Sequence, residues 1–258
     1  MQRKEPASTS PTISRLDAIK QIGAVALLLG LWAVALRVSG LGAWVEEVAG
    51  RLWLLMAVAL QGAPALLVVA AILRRGGEPW SHIGLGHAPV GATIGRGLLA
   101  ALACYLAQPL VVSSYLAATG QPPEALVAQK SDWMTEFSAL PGVLIVPVAV
   151  FVGLYEEVLF RGFLQSRLLL VFGRFSRTRA VAVVTMSAVL FAVGHAYQGL
   201  IGVLQTLVVG LILGAATLRW GSVWPAIVAH VTIDTVGLSA AKYLGPRLQE
   251  MIDEASRI

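Results

Sequence analysis

The segment PVAVFVGLYEEVLFRGF places two adjacent glutamates, Glu156 and Glu157, and then Arg161 after fifteen uncharged residues, Pro141–Tyr155. Ionised carboxylates in such a run are costly unless they face a polar interior built from other helices. Neighbouring helical residues point about 100° apart, so the two acids cannot share one task. Glu157 and Arg161 are four apart with the acid first, the favourable order for an ion pair, and are assigned to structure. Glu156 is left as the candidate general base.

Two histidines stand in comparable surroundings. MSAVLFAVGHAYQG holds His195, the one histidine or charged residue between Arg179 and Arg219. WPAIVAHVTIDTVG holds His230 and Asp234, which a helix sets on one face about 6 Å of rise apart. Two imidazoles and at least two carboxylates on three apolar segments are all satisfied at once if they share one polar cavity.

Three chemistries suit such a cavity. In the first, Glu156 and His195 hold and deprotonate a water that attacks a peptide carbonyl, while His230 and Asp234 stabilise the oxyanion or orient the substrate. A divalent metal such as zinc, held by Glu156, His195 and His230, would acidify that water further. The second is a proton or ion relay through the same four residues, as in a transporter component. The third is a buried polar cluster that only specifies helix contacts, as in a catalytically inactive membrane adaptor. Serine chemistry fits less well, because Ser187 lacks a GxSxG-type elbow. Aspartyl chemistry needs a second membrane aspartate beside Asp234.

The elements that must position these groups are membrane helices. Hydrophobic residues make up 57% of the 258 and charged residues 13%, against about 25% charged in ordinary soluble domains; the mean hydropathy is +0.77. Seven spans are expected, near 19–38, 52–73, 95–117, 140–166, 180–198, 200–218 and 223–244, and a cryptic or re-entrant eighth would move the C-terminus to the other side. The fold class is therefore all-α, a polytopic transmembrane bundle of about seven or eight spans. Residues 1–18 are expected as a cytoplasmic tail, 19–244 as a single membrane domain with its catalytic core in 140–244, and 245–258 as a C-terminal tail.

Arginine and lysine alternate between connections in the pattern of an N-terminus inside the cell. The net charge of +5 follows from those connections, so it is assigned to membrane orientation and not to nucleic acid. Cys104 stands alone, which excludes an internal disulfide and a cysteine zinc site. Trp44, Trp53, Trp80, Trp133, Trp220 and Trp224 fall near predicted span ends as interface anchors. The segment from Glu124 to Leu140 reads as a surface-lying amphipathic helix or an ordered loop. Gly210 and Gly214 form a GxxxG pair, with Gly95, Gly194, Gly199 and Gly202 as further points of close helix approach. Counted at about 1.5 Å per residue, Glu156, His230 and Asp234 match in depth, whereas His195 comes out deeper.

The three clusters together resemble the CAAX protease and bacteriocin-processing family (CPBP, Abi-like) of intramembrane metalloproteases, related to the type II CAAX prenyl endopeptidase. The family pattern EExxxR, FxxxH, HxxxN/D is met by Glu156, Glu157 and Arg161, by Phe191 and His195, and by His230 and Asp234. The resemblance implies Glu156 and His195 as the water-activating pair and His230 with Asp234 as oxyanion or positioning groups. Glu157, Arg161 and Phe191 are left as supports. It further implies a membrane-associated protein or peptide as substrate; membrane lipid is the other expected partner, and the high Ala, Gly, Val and Arg usage points to a bacterial plasma membrane as the location. Many members have asparagine where this chain has Asp234. A carboxylate there must be protonated, act through His230 or bind a metal.

Overall fold

A computed structural model describes residues 13–41, 44, 53–122, 125–126, 140–173, 176–247 and 250. Every regular element among them is helical: α1 (Arg15–Val38), α2 (Trp53–Arg75), α3 (Val90–Thr119), α4 (Ile145–Glu157), α5 (Gln165–Phe172), α6 (Arg177–Gly194), α7 (Gly199–Trp220) and α8 (Trp224–Tyr243).

Burial in this bundle is inverted relative to a water-soluble fold. Leu27, Leu67, Leu106, Leu110 and Val181 are each more than 60% exposed, while Arg167, Glu157 and Gln165 rank among the largest fully buried side chains. Apolar residues facing out and charges facing in are stable only where the surroundings are hydrocarbon. Among the described residues, six helical segments are long and apolar enough to cross a bilayer, and the chain is an integral-membrane helical bundle. The expected seventh span corresponds to α8, whose 20 residues reach about 30 Å. His230, Thr232 and Asp234 dilute its hydropathy.

Three expected boundaries shift. The first helix starts at Arg15 because the Ser14 side chain accepts a hydrogen bond from the Asp17 amide and caps it. The single helix expected over 140–166 is instead α4 and α5 joined by a π-wound segment, Val158–Leu164. Ser187 donates to the Phe160 carbonyl inside that segment at 3.1 Å, supplying a partner where the regular ladder is disturbed. The fifth expected span ends early, at Gly194.

Close approach is set by particular glycines. A Cβ on Gly210 would lie 2.9 Å from that of Ala188, and one on Gly214 would lie 3.1 Å from Val184, so the GxxxG pair does seat α6 on α7. Gly97 lets α3 meet α8, since its Cβ would fall 2.5 Å from Val228. Among the described residues, a Cβ on Gly95 or Gly194 would meet nothing within 4 Å, so these two are not contact points there. Cys104 is buried in the cluster with Ala100, Leu213 and Ala229, as a small core residue. Trp44, Trp80 and Trp224 are exposed, in keeping with interface anchors. Trp133, and the stretch 124–140 apart from Ala125, Leu126 and Leu140, lie outside the described residues.

Candidate active site

Glu156 and Glu157 are the last two residues of α4, and the close neighbour of that end is α8. Gly153 makes the approach possible: a Cβ there would lie 3.0 Å from the Val231 side chain, 3.2 Å from its amide nitrogen and 3.4 Å from His230 Cβ. His195 arrives differently from its expected place inside the fifth span. It caps α6 in a non-helical conformation, φ −100° and ψ 17°. A short turn, Ala196–Gln198, and Gly199 at φ +73° then reverse the chain into α7. The apparent excess depth of His195 disappears because α5 runs on to Phe172, which sets Glu156 about 24 Å from that end.

These elements bring all four predicted site residues together. Glu156 Oε2 lies 3.9 Å from His195 Nε2 and 3.7 Å from His230 Nε2. Asp234 Oδ2 stands 3.5 Å from the same His230 nitrogen and is the most exposed of the acids, its side chain 26% accessible. Glu157 forms the expected ion pair with Arg161, Oε1 to Nη1, at 3.0 Å. It does more than that, because the same oxygen accepts a hydrogen bond from His230 Nδ1 at 2.7 Å.

The other ring nitrogen of each histidine is thus occupied. His195 Nδ1 donates to the Phe191 carbonyl at 2.9 Å, and His230 Nδ1 donates to Glu157. With the Nδ1 protons fixed, both rings present Nε2 to Glu156, the orientation that an outer hydrogen bond imposes on a working imidazole. Glu156 Oε2 is buried and has no hydrogen-bond partner among the described residues, which is costly unless something polar is placed there.

Phe191, expected as a support, is the floor of the site. Its ring lies 4.7 Å from that of His195 and 6.0 Å from that of His230, and the Arg161 guanidinium sits over it at 4.1 Å. A cation held over an aromatic face and paired with a buried carboxylate is stabilised from both sides.

Sequence reasoning missed two tyrosines. Tyr155 donates its hydroxyl to Glu156 Oε1 at 2.9 Å, and Tyr197 stacks on His195 with ring centres 5.9 Å apart. Their one signal was position, each within two residues of a motif residue.

Glu156, His195 and His230 are also the expected ligands of a divalent metal. Nitrogen and carboxylate donors suit zinc. Among the described residues, however, no group of three His, Cys, Asp or Glu side chains is placed to hold an ion. The separations of 3.7 and 3.9 Å are wider than the roughly 3.4 Å between two ligands set tetrahedrally about zinc. As placed, the three donors do not form a closed metal site.

Residues 138–236 match the family model described as type II CAAX prenyl endopeptidase Rce1-like. That stretch contains every residue of the site, so the resemblance carried by the three motifs holds over the part of the chain that builds it. Helices α1–α3 lie outside the match. No curated protein and no solved structure matches the chain.

Proposed function

Since residues 138–236 carry the CAAX-type protease family pattern, we propose that this membrane protein is an intramembrane endopeptidase that hydrolyses a peptide bond of a membrane-associated protein or peptide. The observation that carries the reading is Glu156 Oε2, without a hydrogen-bond partner among the described residues and faced by two imidazoles whose Nδ1 atoms are already committed.

A water hydrogen-bonded to Glu156 Oε2 and His195 Nε2 sits about 2.8 Å from each. Glu156 takes one proton as the water oxygen bonds to the substrate carbonyl carbon. The negative charge passes to the carbonyl oxygen, where His230, with a proton on Nε2 as well as Nδ1, donates to it. The proton held by Glu156 then passes to the departing amine nitrogen as the C–N bond breaks. General-base and oxyanion terms of this kind supply on the order of 10²–10⁴-fold and 10²–10³-fold in rate. Asp234, whose Oδ2 lies 3.5 Å from the same His230 nitrogen, steadies the protonated ring and orients its Nε2–H.

Zinc or another divalent ion would need these donors to close by a few tenths of an ångström, and elemental analysis of purified active protein decides whether they do. The bacterial plasma membrane, with the N-terminus in the cytoplasm, is the proposed location. Comparative proteomics of membranes carrying the wild-type protein or Glu156→Gln tests the function. A membrane-associated protein truncated only with the wild type is expected. Identical membrane proteomes overturn the reading.

A further inference from the structure

The carboxylate of Glu156 has two oxygens in unlike surroundings. Oε2 faces the imidazoles with no hydrogen-bond partner among the described residues, whereas Oε1 accepts a hydrogen bond from the Tyr155 hydroxyl at 2.9 Å. Successive helical side chains diverge by about 100°, so a residue reaches its neighbour's carboxylate only with a long side chain held in a fixed direction. Tyr155 is held in this way. It is buried at 9% exposure, and its ring lies 5.8 Å from that of Phe151, one turn earlier on α4.

The other wall of its seat is α2. A Cβ added to Gly62 would run into Tyr155 Cδ1 and would stand 2.8 Å from its Cγ and 2.7 Å from Phe151 Cε1. The two tyrosine atoms lie close to the backbone and cannot swing aside as the end of a flexible chain does. Gly62 is therefore a notch cut for the tyrosine ring. Two residues on, Pro64 lies within α2 and removes the donor that the Leu60 carbonyl would otherwise have. Trp32 on α1 donates its indole N–H to that carbonyl at 2.7 Å, tying this part of α2 to α1.

From this geometry we infer that Tyr155, seated in the Gly62 notch, is a positioning residue: it engages Glu156 Oε1 and so fixes Oε2 as the oxygen aimed at His195 and His230. The inference rests on the proposed protease reading and extends it, because it gives α2, which lies outside the family match, a part in aligning the base.

Two readouts on Tyr155→Phe and Gly62→Ala test it. The first is turnover of a fluorophore–quencher peptide bearing an N-terminal acyl chain in phosphatidylcholine vesicles. Both variants are expected to lower kcat at least tenfold with KM within about twofold, since a misplaced catalytic group affects the chemical step. Tyr155→Phe should add little to Glu156→Gln. The second is the infrared carboxyl band that Glu156→Gln removes, expected to shift in both variants. Wild-type kcat and an unshifted band in Tyr155→Phe overturn the positioning role. If the wild-type protein cleaves no membrane-anchored peptide, the protease reading falls, and the infrared band alone decides on Tyr155.

Discussion

Glu157 Oε1 accepts a hydrogen bond from His230 Nδ1 at 2.7 Å while it also faces Arg161 Nη1 at 3.0 Å. One carboxylate oxygen thus links a structural cation to a ring of the site. The second glutamate of the pair is not only a helix support; it selects which nitrogen of His230 looks toward Glu156.

Removing that charge should therefore be felt twice. Glu157→Gln leaves Arg161 buried without its counter-ion, at a cost of about 3–5 kcal/mol, and frees the His230 ring. Thermal unfolding of the purified protein should show the loss of stability. Turnover at a temperature where the variant is still folded should fall by about 10-fold or more. Full turnover in a destabilised variant would confine Glu157 to a structural role.

A second buried ion pair lies away from the site. Arg167 Nη2 donates to Glu78 Oε1 at 2.7 Å and Arg167 Nε donates to Gln21 at 2.6 Å, joining α5 to α1 and to the connection after α2. Arg167→Met should cost about 3–5 kcal/mol because Glu78 is left charged and buried. Adding Glu78→Gln should recover much of it. Denaturation of the two single variants and the double variant measures the coupling directly; simple additivity would contradict the pair.

The Gly153 approach gives a steric prediction. In Gly153→Ala the new methyl meets the Val231 amide nitrogen at 3.2 Å, so α8 must move by a few tenths of an ångström and carry His230 with it. A roughly tenfold fall in kcat is expected. Gly95→Ala, whose methyl meets nothing within 4 Å, should leave turnover and the melting temperature unchanged.

The legible part of this site is the part written in residue type and short spacing. Glu156, Glu157, Arg161, His195, His230 and Asp234 stood out because charge in an apolar helix demands a partner, and the Glu157–Arg161 pair followed from a spacing of four. Long-range relations carried no such signal. Glu78 and Arg167 are 89 residues apart in the chain, and nothing local pairs them. The Tyr155 contact runs against the usual rule that adjacent helical residues do not meet, and it needs a glycine on α2 to exist. The helix end at Gly194 was also hidden, because the turn into α7 is fixed by backbone geometry at His195 and Gly199.

Turnover of the acylated reporter peptide by purified protein in vesicles, wild type beside Glu156→Gln, bears most directly on the claim that Glu156 activates water between two imidazoles. The amide keeps the size of the side chain and can still accept a hydrogen bond from Tyr155, but it cannot take a proton. A loss of at least about 10²-fold in kcat with an unchanged melting temperature is predicted. Cleavage by Glu156→Gln at the wild-type rate would contradict the account.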